Sequence, residues 1–335
     1  MSLNNNEDDL NFVVPEDKLG ERLDKVLAEL IPQISRARLQ SWIEDGAVVV
    51  NDEVVTKVRQ KVSAGDEIEV TVQPSPQELA FQPADIDVNV VYEDDTIMVV
   101  NKPAGLVVHP AAGHWNDTLL NGLLNRNPEL RLIPRAGIVH RLDRDTTGLM
   151  VVAKTVEAQT DLIRQLQART VKREYWALAY GKAPQAGYID EPLMRDPRAP
   201  MRFCVGAGAH SKEAKTHVRL VDLVTVDGVG SVPLSVSWVA CRLDTGRTHQ
   251  IRVHMLWAGL PLIGDPVYKG KIAKLPQGSL LADIKRQALH ASRLGLLHPQ
   301  TKQTMQWFVS PPADLYDLMQ ALGFEGLDEP VTVFD

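Results

Sequence analysis

The stretch "AGIVHRLDRDTTGLMVVAK", residues 136–154, crowds His140, Arg141, Asp143, Arg144 and Asp145 between two apolar runs. If "IVHRLD" is extended, its side chains alternate, so Arg141 and Asp143 project to one face and Leu142 to the other. "TTGLMVVAK" then returns as a buried strand, with Thr146, Thr147 and Gly148 making the turn. An aspartate there is ionised at neutral pH, its reference pKa being ~3.9, and a neighbouring arginine keeps it ionised even when partly buried. Such a carboxylate can act as a nucleophile or as a base. A plain salt-bridged loop would use the same residues, and pattern alone does not choose Asp143 over Asp145.

Two further segments hold reactive side chains. In "TGRTHQIRVHMLWAG" the spacing predicts a helix capped by Thr248 and ended by Gly259, which makes His249 and Arg252 i, i+3 neighbours able to face one cleft. His249 and His254 are five apart, and no HExxH motif or carboxylate at ligand spacing accompanies them, so zinc is not expected. In "VKREYWALAY" Tyr175 lies in a strand behind Lys172, Arg173 and Glu174. It is either a core tyrosine with its hydroxyl satisfied at an edge or an aromatic face on which a base can stack. A P-loop and a dinucleotide fingerprint are both missing.

The elements that must carry these side chains fit a chain of two domains. The 335 residues are 44% hydrophobic and 24% charged, enough to bury a substantial core. Cys204 and Cys241 are too few for a disulfide framework or a thiolate cage. No apolar run nears the ~18 residues of a membrane span, and the start "MSLNNNEDDLN" fits neither a signal nor a transit peptide. A cytoplasmic protein is the expectation. The net charge of −7 is uneven: residues 1–17 hold −5 and 313–335 hold −6, so the body from 18 to 312 stands at +4. That permits RNA binding without requiring it.

A small module is expected over 18–74. Leu23, Val26, Leu27 and Leu30 give one amphipathic helix stopped before Pro32, and Ser35 caps a second whose stripe is Leu39, Trp42 and Ile43. Two β-rich runs around Asn51-Asp52 and the alternating "DEIEVTV" supply a small sheet. A proline-marked linker follows over 75–87. The large unit spans 88–324, with a hairpin around Glu93-Asp94-Asp95, helices over 118–126 and 155–169, and strands over 174–180, 214–226 and 232–243. Residues 227–237 read as a long hairpin loop, and 1–17 and 325–335 as acidic tails, the first disordered. Strands broken by few helices, without βαβ alternation, predict α+β with a mixed, largely antiparallel central sheet and flanking helices.

The small module resembles an S4 domain, on "RLDKVLAEL", "SRARLQSWIEDGAVVVN" and "AGDEIEV". The resemblance implies a small α/β unit whose two helices grip structured RNA by shape and phosphate contacts, with Ser35, Arg36, Arg38 and Gln40 as contacts. From residues 90 to 312, "NKPAGLVVHP", "HRLDRDTTGLMVVAK", "KREYWALAYG", "TGRTHQIRVHMLWAGLPLIGD" and "QALHASRLGLLHP" resemble, in order, the pseudouridine synthases of the RluA type.

This second resemblance implies the pseudouridine synthase fold and isomerisation of specific uridines in large-subunit (23S) ribosomal RNA, in the helix 69 hairpin, by a cofactor-free monomer. Ribosomal RNA, free or in a precursor particle, is the implied partner. Asp143 is implied as the catalytic carboxylate, paired with Arg252, and Tyr175 as the ring under the flipped base. Arg141 is implied to fill the gap left in the stack; Arg144, Arg247 and His249 read as RNA contacts, and His140 and His109 as structural or RNA-contacting. The same chemistry on transfer RNA or another ribosomal site stays open. So do a non-catalytic ribosome-assembly factor and a nucleoside hydrolase, though the latter would want a cluster of aspartate ligands.

Overall fold

The computed structural model describes residues 9–73, 80–226, 233–270, 275, 279–331 and 333–334, and the chain divides into two compact units, 1–79 and 80–335. In the first, helices α1 (Leu23–Leu30) and α2 (Arg36–Glu44) pack on a four-stranded sheet. Its strands are β1 (Asp9–Val13), β2 (Val48–Val50), β3 (Glu53–Val54) and β4 (Glu67–Thr71), in the order β1-β4-β2-β3. The Ser35 hydroxyl accepts from the Arg38 amide, as its position before the apolar stripe predicts. Asn51 and Asp52 both have positive φ, 50° and 64°, the conformation of a two-residue hairpin turn. Leu23, Val26, Leu27, Leu39, Trp42 and Ile43 are buried against Ile68 and Val70.

One expectation fails here. Residues 9–17 are not a free tail, because β1 pairs antiparallel with β4, Phe12 opposite Ile68. Leu10, Phe12 and Val14 alternate with exposed neighbours, a strand pattern that the acidic composition masks. Residues 1–8 lie outside the described residues.

The second unit is built on one nine-stranded sheet in the order β5-β6-β7-β14-β8-β13-β12-β9, with β15 also on β14. Its strands are β5 (Val90–Glu93), β6 (Ile97–Lys102), β7 (Thr147–Ala153), β8 (Lys172–Tyr180), β9 (Ala186–Asp190), β12 (Lys215–Val226), β13 (Leu234–Leu243), β14 (Leu289–Leu297) and β15 (Thr304–Phe308). Among the described residues only β7 and β14 run parallel in this sheet, and its other strand pairings are antiparallel. Strands β10 (Leu193–Asp196) and β11 (Ala199–Val205) form a separate ribbon. The mixed, largely antiparallel α+β architecture is as expected.

The sheet is buried on both faces by helices. Met98, Val100, Met150, Val152, Tyr175 and Val239 face α3 (Leu119–Arg126) and α5 (Gln250–Trp257). On the other face Val99, Leu149 and Val151 meet α4 (Val156–Gln167), while Trp176 and Trp238 meet α6 (Ala313–Ala321). Thr118 and Thr155 are the N-caps of α3 and α4.

Two boundaries differ from the sequence reading. The large unit begins at 80 rather than 88, since the Asn121 amide donates to the carbonyls of Ala80 and Gln82. The end is not a free tail: Leu327 is buried, the Tyr316 hydroxyl donates to Asp328 at 2.8 Å, and Arg242 donates to the Phe334 carbonyl. A few apolar residues suffice to anchor a segment whose overall charge suggested solvent. Residues 234–237, where the expected strand over 232–243 and the expected hairpin loop overlap, belong to β13, and 227–232 lie outside the described residues.

Candidate active site

The chain reaches the site through an unusual turn. Arg135, Ala136 and Gly137 have φ of 54°, 50° and 77°, three consecutive left-handed residues, a conformation that costs roughly 1–2 kcal/mol at each non-glycine position. A Cβ at Gly137 would lie 1.9 Å from the Ala153 carbonyl oxygen, so only glycine fits there. The segment then runs extended. Leu142 is buried at 4%, while Arg141 is exposed and Asp143 opens onto a cavity, the alternation the sequence predicts. The turn itself closes two positions earlier than expected: the Thr146 amide donates to the Asp143 carbonyl, and Thr147 already begins β7.

Asp143 lies at the wall of a cavity of about 580 Å³, in the size range of small-molecule sites. Arg252 donates from Nη1 to its Oδ2 at 3.0 Å. The rest of that guanidinium is committed to Asp265, Nε to Oδ2 at 2.7 Å and Nη2 to Oδ1 at 3.0 Å. Asp265 also accepts the amides of Val267 and Tyr268. Burial would raise the Asp265 carboxyl, but the Arg252 contact and those amides outweigh it and leave it lowered. Burial likewise works against the charge of Arg252, and the Asp265 hydrogen bonds reverse it, so the guanidinium is raised.

His249 is the residue before α5 and takes a left-handed φ of 57°, which corrects the expected cap at Thr248. Its Nε2 lies 3.9 Å from Asp143 Oδ1, and its Nδ1 is 2.8 Å from the Tyr268 hydroxyl. That hydroxyl accepts the Phe203 amide at 3.0 Å, so its own hydrogen is available to His249 Nδ1. A neutral imidazole held this way has its hydrogen on Nε2, directed at Asp143. Burial lowers the His249 pKa, which favours the neutral form, although the Asp143 charge opposes it.

Tyr175 projects from β8 into the same cavity, 5% exposed, with burial first among the causes that raise its hydroxyl pKa. Lys102, at the end of β6, is 1% exposed; its ammonium donates to the carbonyls of Pro103, Leu106 and Arg144 at 2.7, 2.9 and 2.8 Å. Burial pushes its pKa down to about 7. It ties the turn after β6 to the residue following Asp143. Gly148, where β7 meets β14, leaves no room for a Cβ beside the Ala291 carbonyl oxygen.

Asp143, Tyr175, Arg252, His249, Arg141 and Arg247 all line the one cavity. Arg144 does not; it pairs with Asp145 at 3.3 Å on the loop outside. His140 lines the cavity, accepts the Val151 amide at Nε2, and is pushed down to about 3 by burial. His109 is also in the lining. Sequence reasoning missed Lys102, Asp265 and Tyr268 as site residues. The signals were present, a lysine before "PAG" and an aspartate in "IGDPVY", but neither motif says which side chain its charge meets.

In the small unit the four residues expected to touch RNA are partly committed elsewhere. Arg36 donates to Asp24 at 3.0 and 2.8 Å, and Gln40 donates to it at 2.6 Å. Arg38 donates to the Gln73 carbonyl and lies over the Trp42 ring. Asp24 is fully buried, which opposes its charge, yet Gln40, Arg22 and Arg36 hold it at about 2. The Arg36 side chain keeps 46% exposure and Arg22 39%, so both still present an outer face.

A protein with this fold and this carboxylate–guanidinium cleft has clear relatives. The family model described as RNA pseudouridylate synthase matches residues 96–257, and the S4 domain model matches 21–68. A ribosomal large subunit pseudouridine synthase D of Neisseria meningitidis serogroup B is 48% identical over 99% of this chain and 87% of its own. The protein of the same name from Escherichia coli K12 is 44% identical over 93% of this chain and 94% of its own. Among solved structures, human RNA pseudouridylate synthase domain containing 4 superposes with a TM-score of 0.53 at 23% identity, covering 71% of this chain and 94% of that one, which shows a shared fold. The chain belongs to the RluA-type family of RNA pseudouridine synthases, isomerases of uridine in RNA, and has an S4 domain in front of the catalytic unit.

Proposed function

We propose that the protein converts specific uridines of large-subunit ribosomal RNA, in the helix 69 hairpin, to pseudouridine, with Asp143 as the catalytic carboxylate. The observation that carries the reading is the 3.0 Å contact between Asp143 and Arg252 at the wall of a cavity also lined by Tyr175. Relatives named for the ribosomal large subunit over nearly the whole chain support the choice of RNA. So does an S4 domain with outward-facing arginines.

The reaction breaks the N1–C1′ bond, turns the uracil over and joins C5 to C1′; the C5 hydrogen is lost as a proton and N1 gains one. No electrons are exchanged and no group is added, so the residues of this chain suffice without a cofactor. Asp143 either attacks C1′ or removes a proton from C2′, and in both cases a close anion stabilises positive character at the sugar. Arg252 holds that anion in direction. The target nucleotide must leave its stack, at a cost of a few kcal/mol. Arg141, exposed at the rim, fills the gap; Tyr175 lies under the extruded base.

Arg144, Arg247 and His249 contact the RNA beside the cleft, and Ser35, Arg36, Arg38 and Gln40 contact it from the S4 unit. The setting is the cytoplasm, the RNA is free or in a precursor particle, and the working form is a monomer. Among the described residues no helix is long and apolar enough to cross a membrane.

The test is to incubate the protein with large-subunit and transfer RNA transcripts tritiated at uridine C5, measure release, and map the modified positions. Release from large-subunit RNA is expected, and Asp143→Asn is expected to lower it by roughly 10²- to 10⁴-fold or more while RNA binding persists. Release unaffected by Asp143→Asn removes that residue from the site, and modification confined to transfer RNA redirects the assignment of substrate.

A further inference from the structure

Arg173 is 8% exposed, and its side chain has neither a hydrogen bond nor an ion pair among the described residues. It occupies β8 two positions before Tyr175, so both side chains leave the same face of the strand, and both line the catalytic cavity. Its Nε is buried without a partner. So are two more polar atoms of side chains lining that cavity, His140 Nδ1 and His109 Nε2. His140 accepts the Val151 amide at Nε2, so its neutral ring has its hydrogen on Nδ1, a second unused donor. Gly246, across the cleft, leaves room for the guanidinium: a Cβ there would lie 2.9 Å from Arg173 Nη1.

Arg173 is largely withdrawn from water, its Nε wholly so; a guanidinium in that position with no anion beside it is costly, and an arginine cannot relieve the cost by giving up its proton. Structural arginines in this protein avoid that state: Arg252 is bound to Asp265, and Arg286 to Asp314 at 2.7 and 2.8 Å. Among the described residues classed as buried, Arg173 is the arginine without such an anion, and it lies in the cleft. We propose that Arg173 is a phosphate receptor, taking a non-bridging oxygen of the RNA backbone next to the extruded nucleotide, with His140 Nδ1 as a further donor at that subsite. Exposed Arg135 and Arg169 on the cavity rim add positive charge to the approach. This deepens the reading above and rests on it for the identity of the nucleotide.

The experiment compares the full chain with Arg173→Gln and Arg173→Lys. It measures binding of a large-subunit RNA transcript across a series of salt concentrations, tritium release from the same RNA, and thermal unfolding. Arg173→Gln is expected to lower kcat/KM by roughly 10- to 100-fold, the span of a charged hydrogen bond. It should also flatten the plot of log affinity against log salt by about 0.7, one single-strand phosphate contact. Its Tm should be unchanged or higher, because an uncompensated buried charge has been removed, and Arg173→Lys should restore the salt slope. Lost activity with an unchanged slope would put a neutral acceptor, such as a uracil oxygen, at Arg173 and overturn the phosphate. A fall in Tm that accounts for the lost activity would make Arg173 structural and overturn the subsite. A wild-type protein that binds the transcript but releases no tritium would defeat the proposed reaction instead, and the two salt slopes would still decide the subsite.

Discussion

Asp265 grips two nitrogens of Arg252 at 2.7 and 3.0 Å, so that the third points at Asp143. The grip is what converts a mobile cation into a directed one. Both side chains are nearly inaccessible, Asp265 at 0% and Arg252 at 5%. We expect Asp265→Asn to destabilise the catalytic unit by about 3 kcal/mol, the cost of stripping one partner from a buried pair. It should also lower kcat/KM at least about tenfold, because Arg252 then shares its hydrogen bonds differently. Denaturant unfolding and tritium release check the two effects; a variant as stable and active as the parent would show that the pair does not orient Arg252.

The Tyr268 hydroxyl stands between the Phe203 amide and His249 Nδ1. Tyr268→Phe keeps the ring, which lies 5.0 Å from the Arg252 guanidinium, and removes only that link. Two half-buried partners are then unsatisfied, at about 1 kcal/mol. We expect the His249 ring nitrogens, read by nitrogen-15 NMR, to change from a single Nε2–H form to a mixture of tautomers. kcat should fall more than KM rises. An unchanged tautomer in the variant would mean that another group sets it.

Lys102 gives a pH signature. Its pKa is about 7 in the folded protein against 10.5 for an unperturbed lysine. Between those values the unfolded chain binds more protons at this position than the folded one, so the contribution of Lys102 to stability increases with pH across that window. It is fully present above 10.5 and is lost as pH falls through about 7. We expect this slope in urea midpoints of the parent protein and its disappearance in Lys102→Met. That variant should also lose about tenfold in kcat/KM, since the carbonyls of Pro103, Leu106 and Arg144 lose their common donor. Equal slopes in both proteins would exclude Lys102 as their source.

Much of this molecule is legible in its residues because the signals are local. The stripe of Leu23, Val26 and Leu27, the cap at Ser35, and the Asn51-Asp52 turn each depend on neighbours within a few positions. The order and spacing of the motifs likewise carried the family, and through it the singling out of Asp143. Charge counts misled at both ends, where Phe12 pairs into a sheet and Leu327 packs into a core despite acidic surroundings.

The three-dimensional arrangement alone decided which charges meet. Arg252 and Asp143 are 109 residues apart, and nothing in either motif names the other as its partner. Asp145, two positions from Asp143, turns outward to Arg144. The two arginines of "HRLDRD" part in the same way, Arg141 to the cavity and Arg144 away from it. Arg173 reads in sequence as one more strand charge, and becomes a buried cation only where the fold brings the distant Gly246 against its guanidinium. Periodicity and capping follow from steric and hydrogen-bonding rules within one turn or one strand. Burial and ion pairing follow from packing between distant segments, and the energies that tune a catalytic group arise there.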